Sequence, residues 1–83
     1  MPLPTELESL FGKQITRQAQ RLAPDQVDAL AVNAAAGALL RLKGQPGRQI
    51  ELVRGLQPGT AAALCRWLAD PAFWGLVGGI TRH

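Results

Sequence analysis

Residues 28–41 read DALAVNAAAGALLR, and between the two charged ends the only polar side chain is that of Asn33. The segment is rich in helix-forming residues and a glycine soon follows it, so the sequence predicts a helix over about residues 25–43. A helix without a polar face has to be covered by protein nearly all round. This stretch therefore predicts an apolar central helix of a bundle, or a helix that is partly buried in a subunit interface.

Small side chains dominate the same helix. Alanine and glycine let the backbone of a neighbouring helix approach closely. A domain of this size also has a small core, so self-association would add stability. A homodimer is therefore one alternative, and its candidate interface consists of Ala31, Ala34, Gly37 and Ala38.

Shorter helices are predicted on both sides of this segment. Apolar residues with a 3.6-residue period predict an amphipathic helix from Thr5 to Leu22. Downstream, apolar residues at intervals of three predict a short helix over Gln49–Leu56, after a turn at residues 45–47. The β-branched residues leave a strand as the alternative for residues 49–54, but a single strand would have no pairing partner in this chain.

The C-terminal part predicts two more short helices. Thr60 is placed to cap a helix over residues 61–69, and Pro71 follows an aspartate in the pattern that begins another. Residues 80–83 are expected to form a frayed tail. The chain is thus predicted to be one all-α domain, residues 1–83, built from four or five short helices.

Composition supports a single globular domain with an uneven charge distribution. The chain has 83 residues, of which 47% are hydrophobic and 18% charged, which is ordinary for a folded domain. The formal net charge is +3, and six of the nine cations but only two of the six anions lie in residues 41–83. This basic second half suits an acidic or nucleic-acid partner, and equally the solubility of a small protein.

The sequence predicts no catalytic residue, no metal site and no cofactor. The single histidine, His83, is the last residue, where it cannot be held against the single cysteine, Cys65, which is expected in the core. One cysteine also excludes an internal disulfide and favours a reducing, cytoplasmic location. The longest apolar window, residues 29–40, is shorter than the ~20 residues of a membrane-spanning helix, so no membrane partner is expected.

Aromatic residues concentrate near the C-terminus, where three of the four in the chain lie within eight positions. Phe73 and Trp74 are adjacent, so on a helix they point about 100° apart and are difficult to bury together. An exposed indole beside an arginine is typical of a protein-binding hot spot, whereas a tryptophan that closes the bundle is the alternative. The candidate protein-binding surface consists of Trp67, Trp74, Phe73, Arg66 and Arg54.

Residues 50–68 resemble a helix-turn-helix motif, with a glycine between two short helices. The resemblance implies binding of nucleic acid, but the second helix would begin with Ala61, Ala62 and Ala63, which cannot read base edges. Phosphate contacts alone would give weak, salt-sensitive binding. The residues for this alternative are Arg41, Lys43, Arg48, Arg54 and Arg66.

Residues 60–76 look similar to the C-terminal stretches of small accessory proteins of bacteriophages and plasmids. The similarity lies in an alanine-rich turn, Leu64-Cys65, Asp70-Pro71 and Phe73-Trp74. It implies a mobile-element context. Taken together, these patterns predict a non-enzymatic regulatory or adaptor protein that docks onto another bacterial protein, with a nucleic-acid-binding protein as the alternative.

Overall fold

The computed structural model describes residues 5–73, which form an all-α bundle. The predicted fold class is confirmed, and no strand occurs within the described range. Within this range the α-helices are α1 (Thr5–Phe11), α2 (Lys13–Arg21), α3 (Ala29–Arg41), α4 (Pro46–Arg54) and α5 (Pro58–Ala69), and a short 3-10 helix, Pro24–Gln26, lies before α3.

Gly12 divides the predicted first helix into α1 and α2. Its φ of 89° and ψ of 159° lie in a region that only glycine adopts readily. The backbone N–H of Gly12 still donates to the Glu8 carbonyl at 2.8 Å, and the Thr16 hydroxyl donates to the Lys13 carbonyl at 2.9 Å. The single long helix predicted from the apolar period is therefore wrong, because the period continues across a backbone break.

Helix α3 begins later than the sequence predicts. Val27 has an extended backbone and packs against the core, and it separates the 3-10 helix from α3. Asp28 then caps α3, since its Oδ1 accepts a hydrogen bond of 3.2 Å from the Ala31 N–H. The helix ends at Arg41, and Gly44, with φ of 85°, closes the turn that follows.

Helices α4 and α5 both begin at a proline in the sequence Gln-Pro-Gly. Proline suits the first position of a helix, because its φ is already helical and the N–H that it lacks would have no partner there. Pro46 and Pro58 therefore start helices three residues before the predicted starts, and Thr60 lies inside α5 rather than capping it. The helical structure of Pro46–Arg54 also decides against a strand at residues 49–54.

Helix α5 has the most complete burial among the described helices. Residues 61–65 are all almost inaccessible to solvent, and α1, α2 and α3 pack around them. Their small side chains allow the neighbouring helices to come close. Helix α3, by contrast, buries one face only, through Val32, Ala35, Ala36 and Leu39. The all-round covering predicted for α3 is thus found at α5.

None of the helices in residues 5–73 has the length and hydropathy that crossing a membrane requires.

Candidate functional site

The C-terminal aromatic residues differ from the exposed cluster that the sequence predicts. Phe73 is only 3% exposed and belongs to the core, and Trp67 is half-buried against it. A ring that is already buried has little area to offer a partner. Phe73 is therefore a packing residue, which corrects its place in the predicted protein-binding surface. Trp74 lies outside the described residues.

Arg66 binds within its own chain. Its terminal nitrogen pairs with Asp70 Oδ2 at 3.8 Å, and its guanidinium carbon lies 5.4 Å from the centre of the Phe73 ring. Asp70 Oδ1 also accepts a hydrogen bond of 3.1 Å from the Ala72 N–H. The arginine thus holds the segment that follows α5, and its charge is directed at intramolecular partners.

Arg54 is exposed at the end of α4, a helix that packs on α1 and α3. Arg66 and Trp67 lie on α5 instead, where they pack close to the core. The predicted protein-binding residues are therefore divided between α4, α5 and the segment after α5, and Arg54 is the exposed one of the described four.

Three of the predicted nucleic-acid-binding residues surround one loop. Arg41, Lys43 and Arg48 are all exposed where α3 passes into α4, and none of them forms an ion pair with another residue of 5–73. Arg54 follows further along α4, with Glu51 one helical turn from both it and Arg48. The Glu51 carboxylate lies between Arg48 and Arg54 along α4, so the positive cluster is limited to the residues around the α3–α4 loop.

The helix-turn-helix resemblance fails at its second helix. Ala61, Ala62 and Ala63 are buried against the other helices, so the first turns of α5 are closed to a DNA groove. Arg66, further along α5, is paired with Asp70. Nucleic-acid contacts through this fold would have to use the α3–α4 loop.

Cys65 lies in the core and is 0% exposed. Desolvation by this burial raises the pKa of its thiol to about 11, so the sulfur is protonated at neutral pH. Across residues 5–73, no three His, Cys, Asp or Glu side chains are grouped in a way that could hold a metal ion. Cys65 is a packing residue, as its apolar neighbours in the sequence predict, and His83 lies beyond the described range.

Among the described residues, the most exposed large apolar side chains lie on α3. Leu30 is 83% exposed and Leu40 is 61% exposed, on the side of the helix that faces away from the core. Ala34 is also exposed between them, and a Cβ added at Gly37 would meet nothing within 4 Å. The predicted dimer residues Ala31, Gly37 and Ala38 are half-buried along this side. We call the outward-facing side of α3, residues 30, 34, 37 and 40, the α3 face.

A shallow groove of about 390 Å³ lies between α1 and α4. Its lining surface is mainly apolar, and Gln49, one of the lining residues, donates from Nε2 to the Leu39 carbonyl at 3.3 Å. The lining residues are Glu6, Ser9, Leu10, Pro46, Gln49 and Ile50. This groove has no signal in the sequence, because it depends on the packing of α1 on α4, two helices that are far apart along the chain.

Comparison with known proteins gives no relative: no family matches the chain, and no curated protein or solved structure shows significant similarity to it.

Proposed function

We propose that this chain is a small non-enzymatic regulatory or adaptor protein that acts by binding a protein partner through the α3 face. The observation that carries the proposal is the exposure of Leu30 and Leu40 on one helix. Burying a leucine side chain contributes about 1.5–3 kcal/mol. A partner that covers both residues would therefore gain a substantial part of its binding energy from these two side chains.

The residues between the leucines support the same proposal. Single exposed leucines are common on protein surfaces, but here Ala34 and Gly37 lie between two of them, with the half-buried Asn33 as the one polar side chain on that side. Glycine inside a helix costs about 1 kcal/mol relative to alanine. No described residue lies so close to Gly37 that an added Cβ would clash with it. The absence of a Cβ would instead let the backbone of a second helix approach closely at this position.

A non-enzymatic role is supported by the state of the one thiol in the described core. The Cys65 thiol is protonated and inaccessible, and both properties oppose nucleophilic attack. In the large pockets of enzymes, several polar groups point towards the place where the substrate binds. The α1–α4 groove is shallow and mainly apolar instead, and fits contact with a macromolecule better than chemistry on a small substrate.

In the experiment, the tagged protein is incubated with a nuclease-treated bacterial lysate that also contains the untagged chain. Mass spectrometry then identifies the proteins that the wild type and each variant retain. A variant carrying Leu30→Glu and Leu40→Glu should lose the retained protein. A matched control carrying Gln14→Glu and Gln18→Glu, both exposed on α2, should keep it. Equal retention by both variants, or retention of nothing by the wild type, would contradict the proposal.

Nucleic-acid binding is a second candidate function, favoured by the three exposed cations at the α3–α4 loop. Three phosphate contacts would give a log–log dependence of affinity on salt with a slope of about −2 to −3. Fluorescence anisotropy with labelled single-stranded and duplex oligonucleotides measures this slope. Arg48→Glu should abolish the binding if the loop is the site, whereas binding that is unchanged by Arg48→Glu would reject this function.

A further inference from the structure

The α3 face continues into a line of residues with coiled-coil spacing. Leu30, Ala34, Gly37 and Arg41 are separated by four, three and four positions, which is the spacing of the core positions in a heptad repeat. In an ordinary bundle such a seam faces the core. Here Leu30, Ala34 and Arg41 are exposed and Gly37 faces open space, while the opposite side of α3 packs on α5.

The 4-3-4 spacing reads the same from either end of the helix. A second copy of α3 that runs antiparallel would therefore place Leu30 beside Arg41 of the second copy and Ala34 beside Gly37 of the second copy. The first contact puts a leucine against the aliphatic stem of an arginine, which can keep its guanidinium in water. The second puts two small residues together, so the two backbones can approach closely at the centre of the seam.

Charge distinguishes the antiparallel arrangement from the parallel one. Asp28 caps the N-terminal end of α3 and Asp25 lies in the 3-10 helix before it, whereas Arg41 is the last residue of α3 and Lys43 lies in the turn after it, with all four exposed. Antiparallel pairing brings the acidic end of each copy beside the basic end of the other, twice in one dimer. Parallel pairing would place like charges together at both ends, which is unfavourable.

We infer that the α3 face binds a second copy of this chain, with the two α3 helices antiparallel and related by a two-fold axis between residues 35 and 36. The inference rests on the proposed function and names its partner. The pairing also brings Ala31 of one copy near Ala38 of the other beside the seam, and Leu40 near Asn33 on the other side. The exposed leucines at both ends of the face are thereby covered.

The size of the contact sets the strength of the dimer. A helix of 13 residues is about 20 Å long, and one pair of such helices covers less than the ~800 Å² per partner of a standard interface. Dissociation is therefore expected in the micromolar range. Sedimentation equilibrium should show the apparent mass rising from 8.9 kDa towards twice that value as the concentration increases through this range.

Disulfide trapping tests the register directly. Residues 30 and 41 are eleven positions apart on the helix. In the antiparallel dimer, the two copies of residue 30, or of residue 41, are therefore separated by about 16 Å, which is too far for a disulfide. Residue 30 of one copy, by contrast, lies beside residue 41 of the other. A mixture of Leu30→Cys and Arg41→Cys chains should form a mixed disulfide, and neither variant alone should dimerise covalently. Because Cys65 is buried, the wild type should form no disulfide between chains and serves as the blank.

A matched mixture of Gln18→Cys and Arg41→Cys chains measures cross-linking by random collision, because Gln18 is exposed on α2. Efficient cross-linking of Leu30→Cys with itself, or equal yields from the two mixtures, would overturn the inferred register.

Ala34→Lys tests the interface without cysteine chemistry, since it introduces a like-charge pair near the two-fold axis. It should weaken the dimer by more than about tenfold, whereas Gln18→Lys should leave it unchanged, with both variants as helical as the wild type by circular dichroism. A chain that is monomeric at all concentrations overturns the inference. If the variant carrying Leu30→Glu and Leu40→Glu then still fails to capture a different protein that the wild type captures, the proposed function stands. If no capture depends on the α3 face, the proposed function and the inferred dimer both fail.

Discussion

The guanidinium carbon of Arg66 lies 5.4 Å from the centre of the Phe73 ring. Because Phe73 is buried and Arg66 belongs to α5, this contact joins the chain beyond α5 to the core helix. Asp70, four positions after Arg66, forms an ion pair with it and so helps to hold the guanidinium near the ring. An arginine and an aromatic residue that suggest a binding surface in the sequence therefore stabilise the end of the bundle.

Arg66→Ala should lower the free energy of unfolding by about 1 kcal/mol. A partly exposed cation–π contact contributes about 0.5–1 kcal/mol and a surface ion pair about 0–1 kcal/mol, and the Asp70 carboxylate is sufficiently exposed that solvent screens the pair. Urea denaturation followed by circular dichroism measures the change. Arg54→Ala, at an exposed position of α4, is the matched control and should change stability by less than about 0.5 kcal/mol. Equal effects of the two substitutions would contradict a specific role for Arg66.

Gly12→Ala should destabilise the fold by about 1–3 kcal/mol, the usual cost of holding a residue other than glycine in a sparsely populated backbone region. The cause is conformational rather than steric, since a Cβ at this position would meet nothing within 4 Å but the φ is 89°. Thermal unfolding measures the loss. A variant as stable as the wild type would show that α1 and α2 can join without the break.

Gly37→Ala should have the opposite sign and stabilise the monomer by up to about 1 kcal/mol. The backbone is helical there, and the added methyl group would point into open space. Urea unfolding at low micromolar protein concentration isolates this effect from self-association. Destabilisation under those conditions would indicate an unfavourable contact within the monomer at Gly37.

Cys65 should resist thiol reagents at pH 8 in the folded protein and react rapidly in urea, because burial both blocks access and keeps the thiol protonated. A chromogenic disulfide reagent measures the two rates. Fast reaction of the folded protein at low reagent concentration would place Cys65 outside the core.

The raised pKa of Cys65 also predicts a dependence of stability on pH. Between the ordinary pKa of 9.0 and the folded value of about 11, the unfolded chain releases the thiol proton while the folded chain retains it. Stability should therefore be unaffected by this group below about pH 9 and fall by at most about 1.4 kcal/mol per pH unit above it. Comparison of the slopes for wild type and Cys65→Ala isolates the thiol, and parallel slopes would contradict the assignment.

Much of the candidate site could be predicted from the sequence only as a set of alternatives. The small residues of α3 indicate that another helix can approach, but they do not decide whether that helix belongs to the same chain. The exposed Leu30 and Leu40 decide that no part of residues 5–73 covers this side of α3. For the aromatic cluster, the sequence leaves open which ring is buried, and the burial of Phe73 answers this for one of them.

The sequence by itself determined the helical class and the approximate places of the helices, because those signals are local. Apolar residues recur at helical spacing, and glycines mark turns between the helices, such as Gly44 with the positive φ that closes the turn after α3. Only the tertiary structure decided which apolar helix lies at the centre. Both α3 and α5 are apolar with many small residues, and coverage depends on which neighbours pack on each helix, since burial is a property of the whole bundle and not of one segment.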